Sequence, residues 1–103
     1  MEFIEATAFT KHVYDYLSDV EYSGLQNFLL QYPESGKVVS GSGGVRKVRW
    51  AISGKGKSGG VRVIYYFKKQ DDEIWLLTIY SKNEVENIPS PILRQIAKEV
   101  ENG

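Results

Sequence analysis

Apolar positions along the chain change their period three times. Residues 1–6 form a short strand candidate, and Thr7 then opens a segment in which Phe9, Val13, Tyr16 and Leu17 recur on one face of a helix. Ser18 with Glu21 three residues later is a capping box, so a second helix is expected to start there. Its apolar face comprises Tyr22, Leu25, Phe28, Leu29 and Tyr32, and Pro33 and Gly36 stop it. The two helices predict a hairpin. After a glycine-rich turn at residues 40–44 the period falls to two, with Val48, Trp50 and Ile52 on one strand face and Lys47 and Arg49 on the other. The β-branched and aromatic run at residues 61–68 predicts the next strand, with the glycine-rich stretch before it expected to be a long mobile loop. Asp71 and Asp72 predict a turn. Residues 73–80 are apolar on both faces, as in an interior strand. Ser90 is expected to cap a last helix with Pro91 at its first position and Leu93, Ile96, Ala97 and Val100 along its stripe. The predicted order is β-α-α-β-β-β-α in a single α+β domain.

Length and composition narrow the possible classes. A chain of 103 residues can bury one modest core without metal or disulfide support. With no cysteine, disulfide staples, thiolate zinc sites and thiol nucleophiles are excluded. No apolar run approaches a membrane span, and Glu2 and Glu5 stand where a secretory signal carries bases, so a cytoplasmic protein is expected. The net charge of zero conceals a strong segregation. Residues 37–69 carry nine bases and no acid, whereas residues 1–36 sum to −5 and residues 70–103 to −4. A run of one sign on that scale points to an anionic partner.

Candidate chemistry is sparse. The stretch AISGKGKS fits the loosest phosphate-loop pattern, but the run after it is strand-forming, and a phosphate loop must feed a helix N-terminus. His12 is the single histidine, on the first helix and away from the basic third, and is expected to be an ordinary helix residue. Asp71, Asp72, Glu84 and Glu86 suit turns and helix entry better than a metal site. The pentapeptide SGGVR occurs twice and is expected to mark turn glycines feeding a strand. What remains is Lys47 and Arg49 on one strand face, with Arg62 at the start of the adjacent strand. Pairing across that hairpin should bring the three cations together, where they could hold a phosphate and the charge that builds on it. Tyr66 and Ile64 share parity with Arg62, and an aromatic beside such cations can stack on a base.

The run GGVRKVRWAISGKGKSGGVRVIYYF, followed by LLTIYSKNE, resembles the HigB-like branch of the RelE toxin family, and the other elements agree in order. The resemblance implies a small, twisted, mainly antiparallel sheet with the N-terminal helical hairpin packed on one face. It further implies the toxin of a type II toxin-antitoxin system, which enters the ribosomal A site and cuts translated messenger RNA there without metal or cofactor. The implied partners are the 70S ribosome, its messenger RNA, and a cognate antitoxin of helix-turn-helix, HigA-like type. The toxin would be a monomer when free and a hetero-oligomer with its antitoxin. By this resemblance Arg62 stabilises the transition state, Arg49 clamps the phosphate and Lys47 handles protons or balances charge. Lys55, Lys57 and Arg46 contact RNA or ribosome. The family prototype has an arginine after the last strand and a tyrosine near the C-terminal helix. Here Asn83 stands beside Lys82, so Lys82 is assigned the charge role and Tyr80 or Tyr66 the stacking role. Two other classes fit the same basic face: a non-catalytic module that binds RNA or ribosome, and an inactive family member that serves only its antitoxin.

Overall fold

Backbone hydrogen bonding in the computed structural model, which describes residues 1–52, 56–81 and 88–102, gathers the described chain around one five-stranded sheet. Strand β1 (Glu2–Glu5) leads into helices α1 (Thr7–Tyr16) and α2 (Asp19–Gln31). Strands β2 (Lys37–Val38), β3 (Arg46–Ile52), β4 (Gly56–Lys68) and β5 (Glu73–Ser81) follow, and α3 (Ser90–Asn102) ends the chain. The strands lie in the order β1-β5-β4-β3-β2, with β1 parallel to β5 and every other pair antiparallel. This is the α+β architecture expected, with β5 in the interior.

Local signals account for most boundaries. Ser18 accepts from the Glu21 amide at 3.1 Å while the Glu21 carboxylate accepts from the Ser18 amide at 2.9 Å, so the expected capping box starts α2. The turn before β3 holds Gly41, Gly43 and Gly44 at φ of 74°, 77° and 106°, a region other residues seldom adopt. A turn of 3-10 helix at Lys69–Asp71 and a left-handed Asp72 connect β4 to β5.

Three expectations are corrected. Strand β2 is additional; two residues are too few to show a period, and only pairing with β3 reveals them. Strand β4 begins at Gly56, not at residue 61, so most of the expected loop is strand and the second SGGVR does not form a turn. Between the pairs Trp50 with Val61 and Ile52 with Gly56 the register shifts, so Ala51 alone faces residues 57–60. Gly60 permits the crowding this requires, because a Cβ there would lie 2.5 Å from the Trp50 carbonyl oxygen. Finally, Ser90 does not cap α3. Its hydroxyl donates to the Ser40 carbonyl at 2.8 Å, and the Pro89 carbonyl takes the first helical hydrogen bonds, from the Ile92 and Leu93 amides.

The sheet has a core on each side. On one face Phe9, Val13 and Leu17 from the α1 segment and Tyr22, Leu25 and Leu29 from α2 pack against Val61, Val63, Tyr65, Ile74, Leu76 and Ile79. On the other face Leu93, Ala97 and Val100 of α3 meet Ile64, Tyr66, Leu77 and Tyr80. Leu77 reaches that second core through a bulge: Ile64 pairs with Thr78 and Tyr65 with Leu76, leaving Leu77 as the extra residue. Tyr65 locks the turn after α2, donating to the Pro33 carbonyl and accepting from the Gly36 amide, both at 2.9 Å. Polar bonds fasten α3. The Tyr66 hydroxyl donates to Glu101 at 2.6 Å, Lys68 Nζ donates to the Val100 carbonyl at 3.0 Å, and Arg94 Nε donates to the Gly41 carbonyl at 2.8 Å. Each large side chain buried in these cores contributes roughly 1.5–3 kcal/mol.

Candidate functional site

Residues directly opposite one another in a sheet share a face, with Cβ atoms about 5 Å apart. Arg49 on β3 lies opposite Arg62 on β4, and Arg62 lies opposite Tyr80 on β5. Arg49, Arg62 and Tyr80 therefore form one row across three strands. Lys47, two residues from Arg49 on the same face, starts a parallel row with Ile64 and Thr78. The alternation of β3 sends its cations to the α3 side of the sheet and Val48 and Trp50 to the side of α1 and α2. The three cations expected to converge thus occupy neighbouring positions on one rigid surface.

Arg62 is the centre of this arrangement. It is only 8% exposed, and its Nη1 is buried with no hydrogen-bond partner among the described residues. A guanidinium does not shed its proton at physiological pH, so it cannot escape burial by neutralising itself. A second cation directly opposite increases the strain, since like charges paired across strands repel. An anion bound between Arg49 and Arg62 would remove both penalties, and the planar fork of arginine suits phosphate oxygens. Tyr80 adjoins this charge. Burial raises its pKa and the Arg62 charge partly offsets the rise, so at neutral pH the residue is an uncharged phenol.

The remaining expected site residues are dispersed. Arg46 faces the opposite way, donating from Nη1 to the carbonyls of Glu34 at 3.0 Å and Gly36 at 2.8 Å and lying 3.5 Å from the Glu34 carboxylate; these contacts brace the turn before β2. Tyr66 shares the face of Arg62 but packs beneath α3, where burial and the Glu101 carboxylate push its phenol up to about 12. Lys57 lies within β4 rather than in a loop, whereas Lys55 and Lys82 fall outside the described residues, as do Asn83, Glu84 and Glu86. Lys68, counted in the basic third, is buried at 6% exposure and bound to Asp71 and the C-terminal turn of α3.

One cation was missed by sequence reasoning. Lys37 on β2 stands directly opposite Lys47 and extends the second row by another strand. No periodic signal could have placed it, because its position depends on a two-residue strand pairing with β3.

The family model described as the RelE toxin of the RelE/RelB toxin-antitoxin system matches residues 31–102. That span runs from the last residue of α2 to the end of α3 and contains every member of the two rows. The chain belongs to the RelE toxin family. As a RelE-family toxin it is one component of a toxin-antitoxin system, and an antitoxin is its partner. No helix among the described residues is long and apolar enough to cross a membrane.

Proposed function

We propose that this RelE-family toxin is a metal-independent, ribosome-dependent endoribonuclease of the HigB-like branch, which cuts translated messenger RNA in the A site and thereby halts translation. The observation that carries the reading is Arg62 opposite Arg49, with Arg62 Nη1 buried and without a hydrogen-bond partner among the described residues. Such an arrangement is costly unless an anion completes it. In the proposed reaction a ribose 2′-oxygen attacks the adjacent 3′-phosphorus. The 2′-O–P bond forms, the P–5′-O bond breaks, and the products are a 2′,3′-cyclic phosphate and a 5′-hydroxyl. Arg62 stabilises the negative charge on the equatorial oxygens, Arg49 clamps the phosphate, and Lys47 sits where it can exchange a proton or balance charge. The proton lost by the 2′-hydroxyl balances the one gained by the leaving 5′-oxygen.

The phosphate row itself holds no histidine, so positioning by the ribosome supplies what acid-base help does not. Lys37, Lys55, Lys57 and Lys82 serve as point charges toward RNA backbone, and Tyr80 supplies a ring within the row. The proposed partner is a helix-turn-helix antitoxin of HigA-like type. The proposed setting is the cytoplasm, with the free toxin monomeric so that it fits the A site.

The test is to induce the protein in bacteria and map new 5′ ends on one reporter transcript, with and without its start codon, beside an Arg62→Ala control. New ends confined to translated sequence and absent from the control are expected. A folded wild-type protein that yields none would overturn the nuclease reading in favour of a binding module or an inactive antitoxin partner.

A further inference from the structure

The row Arg49, Arg62, Tyr80 runs toward a cleft that no step of the proposed reaction uses. Strand β1 pairs with residues 73–76 of β5, so beyond Leu76 that edge of β5 has no strand beside it among the described residues. There His12, Asp15 and Tyr16 of α1, Thr78, Ile79 and Tyr80 of β5, and Ile88 line a cleft of about 610 Å³. Its size lies within the range of small-molecule sites. His12 Nδ1 lies 3.3 Å from Asp15 Oδ2, and the two side chains are 47% and 69% exposed. In the neutral tautomer that donates Nδ1–H to Asp15, the second ring nitrogen is an acceptor. The cleft thus combines aromatic and aliphatic walls from Tyr16, Tyr80, Ile79 and Ile88 with polar groups from His12, Asp15 and Thr78.

We propose that this cleft is a nucleobase subsite, receiving the base of a nucleotide next to the cleaved phosphate; the proposal rests on the endoribonuclease reading above. Three observations converge on it. Tyr80 belongs both to the phosphate row and to the cleft wall, so the two sites are continuous. The cleft begins roughly 5 Å, one strand spacing, beyond Arg62. The Asp15 carboxylate on the rim repels phosphate, so the group entering there must be the uncharged part of a nucleotide. A planar base fits such walls with its faces and such a rim with its edge. Because a carboxylate only accepts hydrogen bonds, the subsite favours a base edge rich in N–H donors.

The test is to map cut sites on translated transcripts for wild type, Asp15→Asn, His12→Ala and Arg62→Ala, after confirming by circular dichroism that each folds. Wild type should cut with a bias toward particular neighbouring bases. Asp15→Asn and His12→Ala should still cut, with that bias flattened about tenfold, the low end of what one good base contact discriminates. Arg62→Ala should cut nowhere. Cutting by both α1 variants with an unchanged base distribution would overturn the subsite and leave the nuclease reading intact. Complete loss of cutting in a folded His12→Ala would also overturn it, by moving His12 into the chemistry. A wild type that cuts nothing would overturn the nuclease reading, and the subsite with it.

Discussion

The two faces of the sheet share strands yet differ in what they leave unsatisfied. Beneath α1 and α2 the strands present Val61, Val63, Tyr65, Ile74 and Leu76, each 0% exposed, and the Tyr65 hydroxyl has both a donor and an acceptor partner. Beneath and beside α3 the same strands present Ile64 and Tyr66, but also Arg62 with an unpaired buried nitrogen and Lys68 drawn to a helix end. Among the described residues the first face is consistent with the requirement that buried polar groups be paired, while the second violates it at Arg62. Such a violation among described residues whose other buried side-chain polar atoms are paired is where a bound ligand is expected.

The largest effect should come from breaking the closed face. Phe9→Ala removes a fully buried ring from the core under α1 and should lower stability by about 3–5 kcal/mol, measured by urea denaturation. A loss below about 1 kcal/mol would mean that α1 is not integral to the fold.

The open face should respond in the opposite sense. Arg62→Met should lower cleavage by about 10²–10³-fold. It should also leave stability unchanged or raise it by about 1 kcal/mol, because a buried cation whose Nη1 has no hydrogen-bond partner among the described residues is replaced by an apolar side chain. Thermal melts set beside transcript mapping decide this. A variant that is both inactive and several degrees less stable would make Arg62 a structural residue and erase the distinction between the faces.

Smaller changes sharpen the picture. The hydrogen bond from Tyr66 to Glu101 needs the neutral phenol, whose pKa is raised from 10.0 to about 12 by burial and by the carboxylate. A raised pKa gives stability that is full below about 10 and declines as the pH climbs through about 12. Tyr66→Phe should therefore lower stability by about 1 kcal/mol at neutral pH and remove that part of the alkaline decline, measured by denaturation across the alkaline range. An unchanged decline would place its origin elsewhere. Ser18→Ala, on the closed side, should lower stability by about 1 kcal/mol through loss of the α2 cap and leave the choice of cut sites as it was. An altered choice would mean that α2 also touches the RNA.

Much of the fold was legible because its signals are local. The capping box at Ser18, the alternation of Lys47 and Arg49 with Val48 and Trp50, and the stripe of Leu93, Ala97 and Val100 each depend on neighbours within a few residues. The expected convergence of Lys47, Arg49 and Arg62 also followed, since alternation and one hairpin nearly determine it. Arg46 and Tyr66 show where this reasoning ends. Arg46 shares the basic third, but its side chain satisfies the carbonyls of Glu34 and Gly36; Tyr66 has the parity of Arg62 but lies under α3.

By itself the sequence determined the elements, their apolar faces, the segregation of charge and the membership of Lys47, Arg49 and Arg62 in one surface. Period, capping and alternation are properties of a few consecutive residues, so they survive without knowledge of the rest of the chain. Only the tertiary structure decided that Arg62 Nη1 is buried with no hydrogen-bond partner among the described residues, that Lys37 joins the basic rows, and that His12 and Asp15 meet Tyr80 in one cleft. Those facts depend on the strand order, on a register shift opposite Gly60 and on how far β1 extends along β5. They arise from contacts between residues distant in the chain, whose energies no local pattern encodes.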